Sequence, residues 1–236
     1  MSLRQIVLDT ETTGLEPSLG HRVIEIACVE VVNRRVTDRN YHQYLNADRD
    51  SDPGALQVHG LTSEFLRDKP RFREVAREFL EFIAGSELVI HNAPFDIGFL
   101  NAELTRIDLP PLATHVVGVT DSLRLAKDIH PGKRNNLDSL CERYGVDNSS
   151  RTLHGALLDA RLLAEVYLAM TRGQDSLVMD LGREESGAVV EAMRIDPATL
   201  DLLVVQADAD ELAAHAAVLD DLHKASRGAC VWKSAG

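Results

Sequence analysis

The stretch Val23–Val32 constrains the fold more than any other part of the chain. Its residues are β-branched or otherwise apolar except for Glu25 and Glu30, and they do not alternate between apolar and polar. A strand with one wet face alternates; an unbroken run of this kind is buried on both faces, which demands layers above and below a sheet. Gln5–Leu8 and Glu87–Asn92 are shorter runs of the same character. Asn40–Leu45 reads as a third strand that completes an antiparallel meander at an edge, and Val116–Asp121 as a fifth. Phe72, Val75, Ala76, Phe79, Phe82 and Ile83 recur at helical spacing, with Gly85 placed to end the helix. A second helix opens at Pro94 and runs through Phe99 and Leu104. Further helices are predicted at Ser122–Ile129, Asn136–Tyr144 and Gly155–Thr171, the second capped by Asn135 or Asn136. Strand–helix alternation after a meander predicts an α/β domain: a mixed five-stranded sheet flanked by helices.

The chain of 236 residues is long enough for one sizeable core, and 44% hydrophobic with 26% charged residues excludes wholesale disorder and fibrous classes. No apolar run approaches the roughly 18–20 residues that cross a bilayer. The N-terminus lacks the pattern of a secretory signal. Cys28, Cys141 and Cys230 are odd in number and widely spaced, which argues against a disulfide framework or thiolate zinc site and for a reducing compartment. With 37 acids against 25 bases and a net charge of −12, the chain is ill suited to grip DNA by itself. Metal ions or a partner must supply the missing positive charge.

Asp9 and Glu11 stand two residues apart at a strand end, so in extended chain they project to one face. Two carboxylates held side by side repel unless a hard cation sits between them. Asp96 follows the end of the Glu87–Asn92 strand, in the first turn of a helix, where the helix dipole also favours an acid. His154 and Asp159 are five residues apart, about 140° of rotation on a helix, so both cannot share one helical face. With Gly155 next to it, His154 belongs to the loop entering the helix, and Asp159 to the inward face near the helix start. Each residue taken alone has an ordinary structural reading. Four carboxylates from two strand ends and a helix, with a histidine beside them, are what metal-assisted phosphodiester hydrolysis needs.

The motifs D-x-E at 9–11, H-N-x-x-F-D at 91–96 and H-x(4)-D at 154–159, in that order, resemble the three motifs of the DEDDh exonucleases, whose fold is ribonuclease H-like. Within that family, Val31–Arg35, Leu88–Ala93, Pro131–Asn135 and Arg151–Ala160 are similar to the proofreading subunits of bacterial replicative polymerases. The resemblance covers residues 1 to about 180. It implies that Asp9, Glu11, Asp96 and Asp159 hold two divalent metal ions, Mg²⁺ or Mn²⁺, with His154 as general base. It also implies that Asp9, Glu11, His59 and Asp159 lie against the bound nucleotide. By the same resemblance the backbone from Thr10 to Leu15 would line the terminal base pocket, with Leu15 as a wedge against the penultimate base. Gly54 departs from the pattern, standing where better-known members carry an acid near the nucleotide sugar. The expected activity is 3′→5′ removal of mispaired nucleotides from a DNA primer end, in the bacterial cytoplasm at the replisome. An exoribonuclease of the same family, or a non-catalytic link between clamp and polymerase, are the alternatives.

The character of the chain changes after residue 173. Residues 175–236 hold 12 acids and 5 bases, punctuated by Gly182, Gly187 and Pro197, with only Ala209–Ala225 helical in pattern. The expected organisation is an exonuclease domain at 1–173, a linker at 174–207 and a docking segment at 208–236. Gln174-Asp175-Ser176-Leu177-Val178-Met179 resembles a sliding-clamp-binding peptide, with Gln174, Ser176, Leu177 and Met179 as its contacts. By the same resemblance the tail docks on the polymerase's alpha subunit, through Leu200, Leu202, Leu203, Val204, the 209–225 helix and Trp232. A small theta subunit is a further candidate partner of the exonuclease domain. Lys133 and Arg134 form a basic turn that either steers phosphate or simply faces solvent.

Overall fold

The computed structural model describes residues 4–149, 151, 153–172, 207–226, 230 and 232. Five strands, β1 (Arg4–Thr12), β2 (Val23–Val32), β3 (Arg35–Tyr44), β4 (Glu87–Ile90) and β5 (Gly118–Asp121), form one sheet in the order β3-β2-β1-β4-β5. β1, β2 and β3 pair antiparallel, whereas β4 and β5 join β1 in parallel. The sheet is therefore mixed, with β1 at its centre. Among the described residues the α-helices of this part of the chain are α1 (Pro53–His59), α2 (Ser63–Leu66), α3 (Phe72–Ile83), α4 (Ala93–Thr105), α5 (Ser122–Ile129), α6 (Leu137–Tyr144) and α7 (Ala156–Met170).

Alternation along β1 divides the core into two layers. Ile6 and Leu8 face one side with Ile26, Cys28, Leu88 and Ile90, packed against Phe79 and Leu80 of α3 and Phe99, Leu100 and Leu104 of α4. Val7 faces the other side with Ala27, Val29, Val31 and Val89, packed against Leu140 of α6 and Leu163 and Val166 of α7. Both faces of the apolar run are thus covered, as its lack of alternation requires. The edge strand β3 is half exposed and carries the charges of Arg35, Asp38 and Arg39, which protect an open sheet edge from pairing with another chain.

Several boundaries differ from the sequence reading. β1 continues through Asp9 to Thr12, because Asp9, Thr10 and Glu11 keep pairing with Ala27, Ile26 and Glu25. β3 begins at Arg35, where the positive-φ pair Asn33 and Arg34 turns the hairpin. The helices α1 and α2 lie between β3 and α3, in a stretch whose sequence carries no helical periodicity. Asn136, not Asn135, caps α6, its side chain accepting from the Ser139 amide at 2.9 Å. The chain divides into two compact units, Met1–Arg183 and Glu184–Gly236. In the second, α8 (Ala209–Ala225) opens with a capping box between Asp208 and Glu211. Among its side chains Leu212, Val218 and Leu222 are exposed, as is Trp232. Gln174–Met179 and Leu200–Val204 lie outside the described residues. No described helix is long and apolar enough to cross a membrane.

Candidate active site

The site forms where three elements end together. Odd-numbered residues of β1 face α7, so Asp9 and Glu11 emerge on that side, continuing the line of Val7. Asp159 meets them from the first turn of α7, buried at 4% exposure. Asp96 comes from the first turn of α4, on the opposite layer. There Thr10, which points the other way from its two neighbours, donates from its hydroxyl to Asp96 Oδ1 at 2.7 Å. Two turns along the same helix, buried Glu103 takes a bidentate bond from Arg22 at 2.6 and 2.7 Å, fastening α4 to the start of β2. The carboxylate line is therefore set by rigid elements.

His154 precedes α7, ahead of the N-cap Gly155, with its amide donating to the Val58 carbonyl at 3.0 Å. Its ring is partly exposed, and Nδ1 lies 3.4 Å from Asp159 Oδ2. Ligand atoms of Glu11, His154 and Asp159 lie within 4.8 Å of one another. Asp9 and Asp96 stand outside that group but share its field. Burial raises Asp9 well above the ordinary carboxylate range, and Asp96, Glu11, Asp159 and Glu25 raise it further. Burial and the charges of Glu25, Asp159 and Asp96 lift Glu11 to about 8. Burial lifts Asp96 to about 7, against the hydrogen bond from Thr10. Carboxylates so arranged hold protons or cations at neutral pH. Hard oxygens with one imidazole suit Mg²⁺ or Mn²⁺ better than a thiophilic ion, so the residues present fit such a metal.

Beside the acids lies a cavity of about 610 Å³, lined by Thr10, Glu11, Thr12, Gly14, Leu15, Gly54, Val58, His59 and Phe95 among others. Leu15 stands at its rim, 83% exposed. His59 closes its wall. Nδ1 accepts from the Leu61 amide at 2.9 Å, so a neutral ring carries its proton on Nε2, and that buried nitrogen has no partner. The structure thus brings Thr10, Leu15 and His59 to one cavity next to Asp9, Glu11 and Asp159.

Three residues of this site had no role in the sequence reading. Glu25 pairs with Glu11 across β1 and β2, fully buried, with Oε1 2.6 Å from His42 Nε2 and Oε2 unpartnered. A carboxylate inside an apolar strand was the available signal. Arg151 bonds both oxygens of Asp159, Nε to Oδ1 at 2.6 Å and Nη2 to Oδ2 at 2.7 Å. Asp138 at the start of α6 receives Arg151 Nη1 at 2.6 Å.

A mixed five-stranded sheet with acids gathered from the ends of β1, α4 and α7 defines a nuclease of the ribonuclease H-like class. The family model described as Exonuclease matches residues 6–167. The DNA polymerase III subunit epsilon of Escherichia coli strain K12 is 54% identical, over 98% of this chain and 98% of its own. That of Pasteurella multocida is 50% identical, over 98% of this chain and 93% of its own. Among solved structures, E. coli exonuclease I in a complex with single-stranded DNA and zinc superposes with a TM-score of 0.65 at 20% identity, over 77% of this chain and 43% of that one. Exonuclease X bound to 5′-overhanging duplex DNA gives 0.57 at 24% identity, over 72% and 93%. At those identities the structures speak for the fold. The chain belongs to the exonuclease family and, within it, to the DNA polymerase III epsilon subunits; it is a 3′→5′ exonuclease.

Proposed function

We propose that this chain proofreads DNA synthesis, hydrolysing mispaired nucleotides from the primer 3′ end as a subunit of the replicative polymerase. The observation that carries the reading is the convergence of Glu11, Asp159 and His154 beside the cavity lined by Thr10, Thr12, Gly14, Leu15 and His59. Asp9, Glu11, Asp96 and Asp159 hold two divalent cations, which supply Lewis-acid stabilisation of charge on the scissile phosphate. His154 takes the proton of the attacking water, the role for which an imidazole is the commonest side chain. Its partial exposure and its place in a loop let it reach solvent on one side and the acids on the other. The Nε2–H of His59 points a donor at the bound nucleotide, and Leu15 wedges against the penultimate base. Gly54 offers no side chain to the cavity, so the sugar is read from other positions.

The tail carries the assembly: Gln174, Ser176, Leu177 and Met179 take the sliding clamp, and residues 208–236 take the polymerase III alpha subunit. A theta subunit, where the cell has one, sits on the exonuclease domain, and the complex works in the bacterial cytoplasm. Purified protein with Mg²⁺ is to be given paired primers, mispaired primers and an RNA oligomer. Mispaired DNA should shorten fastest, one mononucleotide at a time, and Asp9→Ala and Asp159→Ala should each abolish release. RNA trimmed faster than DNA would transfer the chain to the exoribonucleases. Near-normal hydrolysis by either variant would remove the metal assignment.

A further inference from the structure

Resting on the metal reading above, we propose that Arg151 is an exchangeable counter-cation of the site, holding Asp159 and His154 until a divalent cation displaces it. The guanidinium uses both oxygens of Asp159, at 2.6 and 2.7 Å, and its side chain is 7% exposed. Asp159 brings a carboxylate oxygen to the Glu11–His154–Asp159 group, and the guanidinium already bonds both of its oxygens. With both oxygens already bonded to the fork, a cation on either would stand in contact with a second positive charge, and the two repel. The two ligands therefore compete.

The geometry also supplies a place for the displaced group. Arg151 Nη1 is already 2.6 Å from Asp138 Oδ1, and the Asp138 side chain is half-exposed at the start of α6. Pivoting about that bond lets the guanidinium leave Asp159 without losing its countercharge. Arg151 Nη2 also lies 2.9 Å from His154 Nδ1. A guanidinium only donates, so Nδ1 accepts, and the proton of a neutral His154 ring sits on Nε2. In this arrangement His154 has no free lone pair with which to take a proton. Departure of Arg151 frees a metal ligand and the base together. Arg151 is thus a positioning residue, coupling the readiness of His154 to occupancy of the acids.

Calorimetric titration of chelator-stripped full-length protein with Mn²⁺ tests this. Arg151→Gln should bind more tightly than wild type, by about 5–150-fold, the usual span of coupling between linked ligands. Arg151→Lys, which keeps the charge but loses the fork, should fall between them. The melting temperature of Arg151→Gln should drop below wild type in chelator and return to the wild-type value in Mn²⁺. In wild type, the Arg151 Nε–H resonance should move on adding Mg²⁺, a readout that needs no variant. Equal or weaker Mn²⁺ binding by both variants, or an Nε–H signal unmoved at saturating Mg²⁺, would show a fixed structural clamp and overturn the inference alone. Absence of Mn²⁺ binding in wild type would overturn the metal reading with it.

Discussion

Glu11 and Asp96 hold protons more tightly in the folded protein than in the unfolded chain, rising from 4.5 to about 8 and from 3.8 to about 7 respectively. The folded state then binds more protons across that interval, so stability falls as pH rises. In chelator the melting temperature should decline from about pH 4 to about pH 8, and saturating Mg²⁺ should remove most of that decline by neutralising the carboxylates. Glu11→Gln should flatten the chelator curve. A scanning calorimetry series at several pH values checks both. For His154, replacement by Ala should cost roughly 10²–10⁴-fold in single-turnover rate while Mn²⁺ affinity persists, as a base and not an obligatory ligand demands. Loss of Mn²⁺ binding in His154→Ala would reassign His154 as a ligand.

The elements fix how far each acid reaches. β1 delivers Asp9 and Glu11 only because its pairing with β2 continues past Leu8, and α4 and α7 start at the same end of the parallel strands, where helix N-termini gather. The turn after β1 is closely packed at Gly14. A Cβ on Gly14 would fall 2.3 Å from His21 Cε1, and His21 is buried against the Thr13 hydroxyl, 3.1 Å from Nδ1. Gly14→Ala must therefore displace the ring or the turn, and with it Leu15 at the cavity rim. The expected result is a loss of about 1–3 kcal/mol in stability and a raised KM for primer with a smaller change in kcat. An unchanged KM would mean that the turn does not meet the primer.

At the scale of the molecule, charge decides how the enzyme reaches its substrate. A chain of net −12 gains little from counterion release on DNA, and the proposed function therefore draws its working affinity from tethering. A short flexible connection raises the local concentration of a primer end to about millimolar. Within the first unit the end of α7 is sealed onto the sheet. Arg34 donates to the Thr171 hydroxyl and to the Leu168 carbonyl, both at 2.9 Å, and closes the C-terminal turn of α7 onto the β2–β3 hairpin. Truncation after Thr171 should leave a folded enzyme that is active on free primers yet fails to co-purify with the polymerase subunit. An unfolded truncation product, or one that binds the polymerase at full strength, would refute the tether.

By itself the sequence determined the strands and the long helices, because continuous or periodic burial writes itself into local composition. Val23–Val32 and Ser122–Ile129 have the observed bounds, and β1, α4 and α7 differ by a few residues at their ends. It also placed Asp9, Glu11, Asp96, His154 and Asp159 at element ends, since residue spacing encodes direction. It was silent on α1, seven residues long with Leu56 and Val58 exposed, where no apolar stripe exists to be read. Only the tertiary structure decided which charges meet. That Glu25 lies across from Glu11 follows from strand register, and that Arg151 grasps Asp159 and Asp138 follows from how α6 and α7 dock. Local pattern records whether a side chain is buried; the partner of a buried charge is chosen by elements distant along the chain, through geometry that exists only once the layers have packed.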